Sequence, residues 1–131
     1  MTSSDRWQVL VVERSPEESL VLQHILESLG SRQFMVTVAL SVAEARAVLD
    51  RQHFDVVTVA IELLDPSDPQ GIRRLRRAGS SRALVAVTHA DAPQAVLDQA
   101  LEAGADAVVR KDDRNPMEVL QVLRRLLADR K

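Results

Sequence analysis

Five times along this chain a short run of β-branched and aliphatic residues is followed by a segment with helix-capping residues and helical apolar spacing. That alternation restricts the fold severely, because strands that alternate with helices pair in parallel and the helices must cover the sheet. Val9-Leu10-Val11-Val12 is apolar without interruption, as suits a strand covered on both faces. Ser15-Pro16-Glu17-Glu18 then offers an N-cap, a proline at the first helical position and a capping-box glutamate. Leu22, Ile25, Leu26 and Leu29 follow at i, i+3, i+4 and i+7, with Gly30 as the stop.

The same grammar predicts strands over Met35 to Ala39, Asp55 to Ala60, Ala83 to Thr88 and Asp106 to Val109. Helices are expected from the Ser41/Glu44 capping box with Val42, Ala45 and Leu49 inward, and from Asp68-Pro69 with Ile72 and Leu75 inward, ending at Gly79. A fourth begins at Asp91, buries Leu97, Ala100 and Leu101, and closes at Gly104. The last is capped by Asn115-Pro116-Met117-Glu118 and lays Leu120, Leu123 and Leu127 on one face. Five such units in 131 residues predict one domain over residues 1–131, with a core from about 7 to 128. The fold class is α/β: a flavodoxin-like (βα)5 doubly wound parallel sheet, order 2-1-3-4-5, with helices on both faces.

Composition narrows the chemistry. There is no cysteine, which removes disulfides, thiolate metal sites and cysteine nucleophiles together. A net charge of -2 gives no general attraction to nucleic acid or membrane, and no apolar run is long enough to span a bilayer. Met1 to Arg6 lacks the apolar stretch of a signal peptide, so a cytoplasmic location is expected. In doubly wound sheets the crevice lies beyond the carboxyl ends of the strands. The residues to read are therefore Glu13-Arg14, Ala60-Ile61-Glu62, Thr88-His89 and Arg110-Lys111.

Four stretches follow in order along the chain: VLVVERSP, FDVVTVAIEL, LVAVTHADA, and Ala103-Gly104-Ala105-Asp106 through Lys111. On these the chain resembles the receiver domains of two-component response regulators, over about Gln8 to Leu127. VLVVERSP stands where receivers read VLVVDDDP, FDVVTVAIEL stands where they read FDLVLLDIML, and LVAVTHADA ends a strand in a hydroxyl. Ala103-Gly104-Ala105-Asp106 through Lys111 matches the family's AGAD…K ending and is the most specific stretch. The resemblance implies an acidic pair after strand 1, a phosphorylated aspartate after strand 3, a hydroxyl after strand 4 and a lysine after strand 5. Thr88 and Lys111 match. Glu13 keeps the first acid with an added methylene, Arg14 puts a cation in place of the second, and Ala60 replaces the acceptor. Alanine has no oxygen to phosphorylate, and Mg²⁺ wants several oxygen ligands.

Other positions depart in the same direction. His89 stands where receivers carry a small residue, Val108 where a switching aromatic is usual, and Asp112 where a proline is usual. The expectation is an atypical receiver, not an enzyme, with no cofactor or bound metal, that acts by phosphorylation-independent protein interaction. A substitute acceptor among Glu62, Asp65 and Asp68 is the first alternative. A flavodoxin-like nucleotide or flavin site is the second, though the Glu13–Glu18 loop lacks the glycines that let backbone amides cradle phosphate. Arg14 either fills the vacated metal position, pairing with Glu13 or Glu62, or points to solvent.

The resemblance also implies that the face made by helix 4, strand 5 and helix 5 receives a protein partner or a second copy. Val96, Val108 and Arg110 are the candidate interface residues. The run Ile72-Arg73-Arg74-Leu75-Arg76-Arg77, with Arg82, is expected to be a solvated basic face, because no aromatics accompany it for base stacking. Nucleic-acid binding is therefore not expected, and His24 and His53 read as surface residues.

Overall fold

The computed structural model describes residues 6–29, 34–64, 71–78, 83–88, 90–110 and 117–128. Strands β1 (Trp7–Val12), β2 (Phe34–Ala39), β3 (Val56–Ala60), β4 (Ala83–Thr88) and β5 (Ala107–Arg110) pair in parallel in the order β2-β1-β3-β4-β5. Helices α1 (Pro16–His24), α2 (Val42–Leu49), α3 (Gly71–Arg77), α4 (Gln94–Glu102) and α5 (Glu118–Ala128) connect or follow them. The expected doubly wound α/β fold is the one observed.

Alternation along each strand sends side chains to two separate cores. Val9, Val11, Val56, Val85 and Val109 pack with Ile25, Leu26, Leu120, Leu123 and Leu127, beneath α1 and α5. Leu10, Val12, Val57, Val59, Leu84 and Ala86 pack with Ala45, Leu49, Ile72, Leu75 and Ala100, beneath α2, α3 and α4. The helices share this work unequally. Helix α5 buries Val119, Leu120, Val122, Leu123 and Leu127, each contributing about 1.5–3 kcal/mol. Helix α4 fully buries only Ala100.

Two aspartates start strands in the same way. Asp55 and Asp106 lie just ahead of β3 and β5, not inside them as expected. Asp55 donates its N–H to Gln8 O at 2.9 Å while its Oδ2 accepts the Gln8 N–H at 2.8 Å. Asp106 donates to Leu84 O at 2.8 Å while its Oδ2 accepts the Leu84 N–H at 2.8 Å. Each aspartate thus extends by one residue the pairing on one side of its neighbour, β3 against Gln8 of β1 and β5 against Leu84 of β4.

Local expectations are corrected at several points. Ser15 and Ser41 do cap α1 and α2, accepting the N–H of Glu18 at 3.2 Å and of Glu44 at 3.1 Å. The Ser15 N–H, however, goes to Glu13 Oε2 at 3.2 Å, so the reciprocal arm at that cap is Glu13 and not Glu18. Helix α1 passes into a wider π turn over Ile25–Leu29, where Glu27 Oε2 accepts the Val36 N–H at 3.1 Å. That bond covers a donor on edge strand β2 that would otherwise invite another strand. Helix α4 begins at Gln94 behind Pro93, not at Asp91, and Leu101 is 47% exposed instead of buried. Gly30, Asp68, Pro69, Gly79, Asn115 and Pro116 lie outside the described residues, as does the Asp112 departure.

Candidate functional site

The register places the ends of the central strands side by side. Val12 lies beside Val59, Val59 beside Ala86, and Ala86 beside Val108. One residue on, Ala60 lies beside Val87, and Thr88 in turn lies beside Arg110. Glu13, Ala60 and Thr88, far apart in the chain, therefore meet at one edge of the sheet, which is the crevice the topology dictates.

Ala60 closes β3, is 2% exposed and leads into a 3₁₀ turn over Ile61–Leu63 that carries the exposed Glu62. Thr88 closes β4 and is 3% exposed. Glu13 is 8% exposed; its N–H donates to Ala39 O at 3.0 Å and its Oε2 accepts from the Ser15 amide. Its carboxylate is thus already part of the β1–α1 turn. Arg14, next in sequence, is exposed. A divalent cation prefers six or more oxygen ligands. Among the described residues the crevice supplies one engaged carboxylate, the exposed Glu62, an apolar methyl and a cation next in sequence, short of the oxygen set Mg²⁺ takes. Among the described residues no group of three or more His, Asp or Glu is arranged to hold a metal. Lys111, His89, Asp65 and Asp68 lie outside the described residues.

The β1–α1 turn also bears on phosphate cradling. Ser15 and Glu18 amides are taken by Glu13 and by the Ser15 hydroxyl, so two donors that would face a nucleotide phosphate are already spent.

The candidate interface residues have quite different surroundings. Val108 is half-buried and packs against the α2–α3–α4 core, and Val96 is half-buried as well. Arg110 folds back: its Nε and one terminal nitrogen donate to Ala92 O at 3.3 and 3.0 Å. The exposed apolar side chain on α4 is Leu101, which the helical spacing had assigned to the core.

The basic run is only partly the solvated face expected of it. Arg74 and Arg77 are exposed, but Arg73 donates to Glu102 O at 2.9 Å and Arg76 to Gly104 O at 2.7 Å and Asp106 Oδ2 at 2.7 Å. These contacts span 28 to 30 residues of chain, so nothing local in the sequence signals them. The one available cue was Asp106, in the most specific motif. His53 is exposed as expected, yet it is not isolated: its Nε2 lies 3.3 Å from Asp55 Oδ1.

A doubly wound five-stranded sheet with its crevice at the ends of β1, β3 and β4 defines the class. Within it, the model of the response regulator receiver domain family matches residues 9–124, and the chain belongs to that family. Solved structures share the fold. A CheY-like response regulator receiver domain protein from Methanospirillum hungatei JF-1 superposes with a TM-score of 0.76 at 24% identity, over 95% of each chain. The receiver domain of sensor histidine kinase PA1611 from Pseudomonas aeruginosa PAO1, solved with magnesium in its active-site cleft, gives 0.70 at 27% identity, over 92% of this chain and 96% of that one. A two-component response regulator from Clostridium difficile gives 0.78 at 19% identity, over 94% and 97%. Comparison with curated proteins gives no match. Among the described residues, no helix is long and apolar enough to cross a membrane.

Proposed function

We propose that this receiver domain works without aspartyl phosphorylation, as a non-enzymatic protein-interaction module of a two-component type signalling system. The observation that carries the reading is Ala60, a buried methyl at the end of β3 where the family's acceptor carboxylate would stand. Glu13, engaged within its own turn, and Arg14 beside it in sequence support it, because a metal-assisted phosphoryl transfer needs clustered carboxylates there. Val108 adds to this: a β-branched side chain packed into the core has no aromatic ring to swing between two positions. Without a covalent switch, regulation comes from partners that bind one conformation better than another.

The partner, or a second copy of the chain, docks on the face formed by α4, β5 and α5. Helix α4 exposes Asp98, Leu101 and Glu102, and helix α5 exposes Arg124 and Arg125. Exposed charges of both signs and an exposed leucine are available there for a protein contact.

The test is an amide NMR titration of the labelled chain with Mg²⁺ and then beryllofluoride, a mimic of a phosphoryl group on a carboxylate. No specific shifts are expected at Glu13, Ala60 or Thr88. Saturable shifts there would overturn the proposal, and their loss in Glu62→Gln would assign that residue as a substitute acceptor.

A further inference from the structure

Helix α4 is held to the sheet by few buried side chains, and arginines grip the backbone at both of its ends. At the N-terminal side, Arg110 of β5 places two nitrogens on Ala92 O, in the turn just before Pro93 and the helix. At the other end α4 closes with Gly104 at φ 114°, Ala105 donating to Ala100 O at 3.1 Å and Gly104 to Leu101 O at 3.1 Å. This paired closure satisfies two of the helix's terminal carbonyls. Two more carbonyls at that end, Glu102 O and Gly104 O, are taken by Arg73 and Arg76 of α3. The arginines also fit sterically, since a Cβ built on Gly104 would lie 3.6 Å from Arg73 Cγ and 3.9 Å from Arg76 Cδ. The C-terminal pole of a helix carries partial negative charge, so cations there are favoured electrostatically as well as by hydrogen bonding.

We infer that Arg73, Arg76 and Arg110 form a clamp that fixes α4 in one position, and so fixes the face on which a partner docks. The inference extends the proposed function and its signalling consequence rests on that reading. The clamp itself stands on the four arginine–carbonyl contacts. Its chemistry explains why α4 keeps its place with Ala100 alone fully buried: charged donors on backbone carbonyls replace apolar packing. It also names the step by which a partner would move the helix. A carboxylate brought close to Arg110 competes with Ala92 O for the guanidinium and frees the N-terminal end of α4.

Arg110→Met and Arg76→Met keep the aliphatic stems and remove the donors; Arg77→Met, at an exposed position of α3, is the control. Amide hydrogen exchange is the readout. Arg110→Met is expected to raise exchange about tenfold or more at Val96, and Arg76→Met to do so at Gly104 and Ala105, with β1 and β3 amides unchanged in both. The double variant is expected to show microsecond-to-millisecond exchange broadening at the Val96, Leu97 and Leu101 methyls that the parent chain lacks. Should Arg76→Met not fold, Arg76→Lys, which keeps the charge on one nitrogen and loses the guanidinium fork, takes its place with a smaller rise expected. Protection within about twofold of the parent at all three amides in the folded variants would overturn the clamp. Beryllofluoride binding by the unmodified chain would overturn phosphorylation independence and leave this result to be decided by the arginine variants alone.

Discussion

Asp106→Ala tests most directly how this fold is tied together. The Asp106 carboxylate accepts the Leu84 N–H at 2.8 Å and Arg76 at 2.7 Å through the same oxygen. Leu84 is fully buried, so removing the carboxylate leaves its amide without an acceptor at the start of β4. An orphaned buried donor costs about 1–3 kcal/mol. The Arg76 pair adds less, because the two side chains are 37% and 22% exposed and water screens them; about 0.5 kcal/mol is a reasonable share. The expected loss is therefore about 2–3 kcal/mol, a sizeable part of the roughly 5–15 kcal/mol that holds a domain together. Urea unfolding at pH 7 should show it as a lower midpoint with an unchanged slope, which marks a native-state effect. Asp106→Asn keeps a neutral acceptor for Leu84 and should cost about half as much, since charge-assisted bonds are roughly twice as strong as neutral ones. If Asp106→Ala cost less than about 0.5 kcal/mol, as an ordinary surface change does, the strand-starting role would be refuted.

Two further outcomes follow from local structure. Ser15→Ala should destabilise by about 1 kcal/mol in the same assay, because the Glu18 amide loses its cap, and Ser15→Asp should restore most of the loss. Leu101→Gln should change stability by less than about 0.5 kcal/mol, whereas Leu120→Ala should cost about 2–5 kcal/mol. Equal losses at the two positions, read from thermal or urea unfolding, would return Leu101 to the core.

The sheet was legible because its strands are short runs of β-branched and other apolar residues, and the caps because Ser15 and Ser41 each precede a glutamate at the right spacing. Helix α4 was misread for a physical reason. Leu97, Ala100 and Leu101 make a plausible stripe, but the helix starts only after Pro93, runs nine residues, and turns Leu101 outward. Asp91 looked like a cap because aspartate caps helices often, yet it sits in the turn ahead of Pro93. The arginines of α3 were assigned to solvent because composition and periodicity record which face a residue is on, not what lies across from it. At the crevice, the residue types were legible but not their engagement: nothing in the spacing shows that Glu13 spends its carboxylate on Ser15.

The residues that hold this fold and those that would perform its family's chemistry are different sets. Asp55 and Asp106 start strands, Ser15 and Ser41 cap helices, and three arginines hold α4, while Glu13 sits at the crevice and also ties the β1–α1 turn. Carboxylates gathered at strand ends repel one another and favour neither folding nor burial unless a cation joins them. Replacing two of them with Ala60 and Arg14, on the proposed reading, therefore removes repulsion and takes nothing from the strand ladder. A receiver can shed its chemistry and keep its shape, which is why the family match over residues 9–124 and the likeness to solved receivers are compatible with either outcome of the beryllofluoride titration.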